Sequence, residues 1–201
     1  SNMMQADFNN THMDGANFTG ANLNEANFDQ AHMEGAKFSG ANLSEASMSH
    51  VFLVHANLSG VNLGGANLEH SDLSGANLKG ANLGSANLDH AALNGANLSG
   101  ANLDDASLEN ASFEQANFKS ANLRECNMDN CVGTDANFKN AVLQGVNAAG
   151  AILRNANFKY AHLHGANLDG ADLNGANVRH AILIDAIMPD GEPYQPGMDL
   201  S

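Results

Sequence analysis

Residues 76–105 read ANLKG ANLGS ANLDH AALNG ANLSG ANLDD, a run of five-residue units in one register. Extended in both directions, that register gives 37 consecutive pentapeptides from Ala6 to Asp190 without an insertion or deletion. The first position is Ala in 30 of the 37, with Thr11, Val51, Val61, Ser71, Cys126, Cys131 and Val146 as exceptions. The third is a large apolar residue in 35 and fails only at Gly133 and Ala148. The second is most often Asn, the fourth is polar or charged, and the fifth is often Gly.

A period of five matches neither the 3.6 residues of a helical turn nor the alternation of a strand, so on either element the apolar positions would spiral around the axis. The chain must turn once per unit. If each unit forms one side of a coil, the small first and large third residues both point inward. A Gly-rich fifth position then supplies the positive φ of the turn. Four such sides close a square coil, and stacked coils pair their backbones about 4.8 Å apart, like strands in a sheet. Nine or so coils make a rod on the order of 45 Å long. Each coil adds to a continuous core that no single unit could build; Leu78, Leu98, Phe118, Phe138 and Phe158 are expected in it. The expected organisation is 1–5 as a tag remnant or cap, 6–190 as the coil, and 191–201 as a tail or cap, with Pro193, Pro196 and Gly197.

The units Ala76–Gly80, Ala81–Ser85 and Ala96–Gly100 resemble the pentapeptide-repeat family, and the resemblance covers about nine tenths of the chain. It implies an all-β fold, a right-handed quadrilateral parallel β-helix of about nine four-sided coils. The ending Ala186-Ile-Met-Pro-Asp-Gly191 resembles the way many bacterial members leave the helix.

Composition agrees with this architecture and narrows function. The 201 residues include 22 Asp and Glu against 8 Lys and Arg, a formal net charge of −14. Such a chain lacks the concentrated basic footprint of a phosphate-backbone binder, so direct nucleic-acid binding is not expected. No stretch approaches the roughly 20 apolar residues of a membrane helix, and no basic start with an apolar run marks a signal peptide. The cytoplasm is the expected compartment. Ser1-Asn2 before Met3 reads as the remnant of a cleaved tag. Cys126 and Cys131 are too few and too close for a disulfide framework or a metal set, and their inward first positions make them packing residues.

Every twentieth residue falls on the same face, and the fourth positions then sort into rows. One face has Lys79, Lys119, Lys139, Lys159 and Arg179, four of them in successive coils. Asp29, Glu69, Asp89, Glu109, Asp129 and Asp169 form an acidic row, expected on the preceding face. Like charges stacked at about 4.8 Å repel by up to roughly 1 kcal/mol per pair. Two explanations stay open: gene growth by duplication of whole coils, or an oriented docking surface. His50, His70 and His90 follow the acidic row in three coils, and His12 and His32 pair on another face. Parallel imidazoles do not converge as metal ligands must, so solvated histidines are expected, with no metal and no cofactor.

Outward apolar residues break the polar rule at Phe52 and Val54, then at Val132, Val142, Ile152, Ile182, Ile184 and Ile187. The C-terminal group is expected to make a homodimer contact through the last coils or to be covered by the tail. At Gly133 and Ala148 the core is underfilled; Phe113 and Met128, one coil earlier, are expected to lean into the gaps.

A rod filled with Leu, Phe and Ala has no concave site with convergent groups, and no nucleophile is paired with a base, so an enzyme is not expected. The expected function is a non-catalytic scaffold presenting patterned faces to an unidentified protein partner. Its candidate surface is Asp89, Glu109, Asp129, Lys119, Lys139, Lys159, Arg179, Ile182, Ile184 and Ile187. The resemblance implies an alternative, since some family members mimic duplex DNA and bind type II topoisomerases, inhibiting them or protecting them from quinolones. Those members typically carry loop insertions that this register lacks. A pure spacer or a filament-forming element is a third reading.

Overall fold

The computed structural model describes residues 1–196; the end of the tail, Gly197 included, lies outside the described residues. Parallel bridges join each second-position residue to the one twenty further on, from Asn2↔Asn22 to Asn167↔Ile187. One coil therefore has four five-residue sides. Within residues 1–190, face 1 contains residues 1–5 and every segment twenty residues later; face 2 starts with 6–10, face 3 with 11–15 and face 4 with 16–20.

The register starts earlier than Ala6. Asn22 N–H donates to the Ser1 carbonyl at 2.9 Å and Met3 N–H to the Asn22 carbonyl at 2.8 Å, so residues 1–5 form the first side of the first coil. The expected remnant is thus built into the rod.

Inside, first and third positions are buried along the rod, including Leu78, Leu98, Phe118, Phe138 and Phe158. Phe118, Phe138 and Phe158 stack along face 4 at successive centroid distances of 5.0 Å. Near the other end, Phe28 of face 2 meets Phe18 and Phe38 of face 4 edge-on across the interior, at 5.9 and 6.0 Å. Ser71, a polar exception at position one, donates its hydroxyl to the Leu68 carbonyl at 2.6 Å and is satisfied. Phe113 fills the space at Gly133, as expected: a β-carbon on Gly133 would sit 2.1 Å from its ring. Met128 and Ala148 are both buried at the second irregularity.

Each corner is a turn closed by the next first-position N–H on the third-position carbonyl, as in Ala81 N–H to Leu78 O at 3.0 Å. The fifth residue has positive φ and the fourth does not, which makes this a type II arrangement. Every fifth position from Gln5 to Asp185 is left-handed, and 22 of these residues are not glycine. A side chain there costs roughly 1 kcal/mol. Ser85→Gly, at φ 55°, is expected to stabilise the rod by about 0.5–1 kcal/mol, visible as a raised midpoint in chemical denaturation.

The second-position Asn residues bond in rows. On face 1 an unbroken chain runs from Asn2 to Asn122, each Nδ2 donating to the Oδ1 one coil below at 2.8–3.3 Å. The same Oδ1 accepts the N–H of the fourth residue, as at Gly64 and Arg124. Rows on other faces carry such links as far as Asn167, so coils are tied by side chain as well as backbone up to that point.

Candidate interaction surfaces

Sorting charges by face gives the sharpest asymmetry in the molecule. Face 4 carries six of the eight Lys and Arg (Lys37, Lys79, Lys119, Lys139, Lys159, Arg179) and none of the 22 Asp and Glu. Face 2 carries eight carboxylates and no Lys or Arg; faces 1 and 3 each carry six carboxylates and one arginine. The complete absence of carboxylates from face 4 is readable from the sequence once the register is known, yet counting only fourth positions misses it.

The acidic row does not lie beside the basic one. Asp129 and Lys139 are ten residues apart, two sides of four, so the rows occupy opposite faces, as the Phe28–Phe38 contact across the interior also requires. The rod is charged transversely, and no partner can cover both rows from one side.

Among the described residues, the cations of face 4 have no anionic partner. Among the described residues the ion pairs are His70–Glu69, Arg124–Asp104, Arg154–Asp172 and His164–Asp185, none of them on face 4. Arg154 is consumed locally: the Asn174 N–H, then the Arg154 guanidinium, hold the Asp172 carboxyl below its ordinary range. Lys119, Lys139, Lys159 and Arg179 stand in four successive coils without such compensation. Lys159 Nζ lies 5.1 Å from the Tyr160 ring centroid, and Tyr160 stacks on His180 at 5.0 Å. On face 2 the acids do have partners: Asp89 Oδ1 accepts the Glu109 N–H at 2.9 Å, and Asn127 Nδ2 donates to Glu109 at 3.4 Å.

His50, His70 and His90 stack at 4.9 and 4.7 Å with ring planes 10° apart, so their nitrogens run in rows along the rod instead of meeting at a point. His12, His32 and Phe52 form a second stack at 4.5 Å. Between the two stacks lies a shallow groove of about 410 Å³ lined by Asn10, Gln30, His32, His50 and Phe52. It brings together amides and aromatic rings but no nucleophile with a base.

At the C-terminal end the tail turns back. Ile187 bridges Pro193 in antiparallel fashion, Tyr194 N–H donates to the Ala186 carbonyl at 2.8 Å, and the Tyr194 side chain packs on the core. This covers the face 2 side of the last coil. On the other three sides, among the described residues, the N–H groups of Leu173, Gly175, Val178, His180, Leu183 and Asp185 have no backbone acceptor. Ile182, Ile184 and Ile187 are 41%, 58% and 40% exposed, so the tail leaves the apolar group largely open.

Both cysteines are free and buried. Burial, then the neighbouring Cys131, raises the Cys126 thiol; burial pushes Cys131 up to about 12 from 9.0. Raised in this way, both thiols are held in the protonated, unreactive form. Both thiols are expected to resist Ellman's reagent in the native protein and to react at once in denaturant; rapid native labelling would refute the packing role.

The sequence profile described as pentapeptide repeats matches in eight overlapping copies that run from residue 1 to residue 188. No curated protein sequence matches the chain. Among solved structures it is similar to HetL of the cyanobacterium Nostoc sp. strain PCC 7120, a pentapeptide-repeat protein involved in heterocyst differentiation regulation. That match has 31% identity over 96% of this chain and 92% of HetL, with a TM-score of 0.56. QnrB1, a plasmid-mediated fluoroquinolone resistance protein, is similar in fold at 15% identity, over 90% of this chain and 92% of its own, with a TM-score of 0.64. Both neighbours are right-handed quadrilateral β-helices. With its unbroken five-residue register, four-sided coils and eight matched copies of the repeat, this chain belongs to the pentapeptide-repeat family.

Proposed function

We propose that the protein is a non-catalytic scaffold whose face 4 docks an acidic surface of a protein partner. The observation that carries this reading is the carboxylate-free cationic face on a chain of net charge −14. Unpaired cations held in a row repel one another, a cost that an opposing row of carboxylates relieves. Lys119→Ser/Lys139→Ser/Lys159→Ser keeps the fold, because Ser39, Ser59 and Ser99 already occupy the same position. Proteins captured from the source cell by the parent and lost by the triple variant are the expected partners. An identical captured set for both proteins rules out face 4 as the docking surface.

A second reading is topoisomerase binding through the three contiguous anionic faces, by analogy with the fold shared with QnrB1. Face 4 argues against a uniformly acidic DNA mimic. A gyrase supercoiling assay with and without a fluoroquinolone separates the two: inhibition or drug protection that survives the triple Lys→Ser variant favours the anionic faces, and an inert protein removes this reading.

A further inference from the structure

The most complete match for the cationic row is on the rod itself, on the side it cannot reach. Face 4 has Lys119, Lys139, Lys159 and Arg179 in four successive coils; face 2 has Glu69, Asp89, Glu109 and Asp129 in four successive coils. Both rows use the fourth position of the same backbone repeat, so their spacings are identical, about 4.8 Å per coil. Carboxylates at that repeat arise where strands of a sheet are stacked in register, which is the geometry of face 2. Asn117, Asn137, Asn157 and Asn177 flank the cations on one side, and Asn67, Asn87, Ser107 and Asn127 flank the acids; the bulkier His70, His90, Tyr160 and His180 stand on the other side, at the fifth positions that form the corners of the coil.

We propose that the rods associate side by side, face 4 of one copy lying on face 2 of the next, with the four-cation row set against the four-carboxylate row. This rests on reading face 4 as the docking surface and names a second copy as its occupant. Because the two rows lie on opposite faces, each copy has one of each to offer. The contact is heterologous and does not close, giving a lateral array instead of a symmetric dimer. The net charge of −14 opposes approach at a distance, but beyond a screening length of about 10 Å at 0.1 M salt that repulsion fades while the facing rows still attract. Each exposed pair is worth up to about fivefold in association constant, so four pairs reach on the order of a few hundredfold.

The test is sedimentation velocity of the full chain over a concentration series, in about 0.1 M and about 1 M salt, where the Debye length falls from about 10 to about 3 Å. The parent is expected to form concentration-dependent oligomers beyond the dimer at low salt and to dissociate at high salt. Two variants isolate the contact: Lys119→Ser/Lys139→Ser/Lys159→Ser removes the basic row, and Glu69→Gln/Glu109→Gln/Asp129→Asn removes the acidic row. Each alone is expected to be monomeric. Mixed, they retain one intact row apiece and are expected to form a 1:1 heterodimer that grows no further. A parent that is monomeric throughout overturns the proposal, as does a salt-insensitive oligomer, which points instead to the open end with Ile182 and Ile184. In either case, loss of captured partners from the Lys→Ser variant still supports docking on face 4, and retention of all of them removes that reading as well.

Discussion

Replacing Phe113 with Ala is expected to destabilise the rod by about 5 kcal/mol, at the top of the range for a buried aromatic. The reason lies one coil further on. Gly133 offers no side chain at the third position, and Phe113 occupies that space as well as its own, with its ring edge-on to Phe118 at 5.3 Å and to Phe138 at 6.0 Å. Removing the ring empties two adjacent core positions, and the tightly bonded coils on either side limit collapse. Gly133→Leu alone overpacks against the ring and is expected to cost about 3 kcal/mol. The pair Phe113→Leu/Gly133→Leu restores the pattern of the neighbouring coils, such as Leu93 and Leu153 on the same face, and is expected to lie within about 1.5 kcal/mol of the parent. Denaturant unfolding of the parent, Phe113→Leu, Gly133→Leu and the double variant gives the coupling directly. Additivity within about 0.5 kcal/mol would mean that the two positions do not share one space.

The same pair shows why part of the fold is legible in the sequence. A third position that must be large fails at Gly133, and its neighbour twenty residues earlier is the largest residue available, so the compensation can be predicted from the register alone. Burial at positions one and three is equally legible, because any five-residue turn that hides Leu hides Ala two residues before it. The charge rows are harder. Their composition is visible, but their mutual placement depends on closing the coil, and an error of one side turns opposite faces into neighbours, as with Asp129 and Lys139. The Asn at position two is conspicuous without being explained. Its partner is another Asn in the next coil, as Asn122 is to Asn102, and no local propensity reports a bond across twenty residues. Residues 1–5 hide for a simpler reason: Ser1 and Met3 stand at the first and third positions in place of the usual Ala and Leu.

Proline shows how strictly the register assigns roles, and the expected outcomes at two positions have opposite signs. Asn102 is a second-position residue in mid-rod. Its N–H donates to the Ala81 carbonyl at 2.9 Å and its carbonyl accepts the Leu83 N–H at 2.6 Å. Its side chain joins Asn82 at 3.0 Å and Asn122 at 2.8 Å. Asn102→Pro removes a ladder donor and both side-chain links, with an expected cost of at least about 3 kcal/mol. Since coils in such a rod contact only their neighbours, the loss falls at one junction, and unfolding is expected to split into two transitions, one for each flanking segment. Gln144 sits at a fourth position, the second residue of a turn whose third is Gly145 at φ 68°. Among the described residues its N–H has no partner, and the turn is closed without it by the Val146 N–H on the Leu143 carbonyl at 3.3 Å. Proline is favoured at that place in a type II turn, so Gln144→Pro is expected to stabilise by about 0.5–1 kcal/mol through the unfolded chain. The natural sequence follows the same division, for its one proline within the repeats, Pro189, stands at a fourth position. Thermal unfolding of the two variants decides the matter: if both prolines lower the midpoint by similar amounts, the separation of ladder positions from turn positions is wrong.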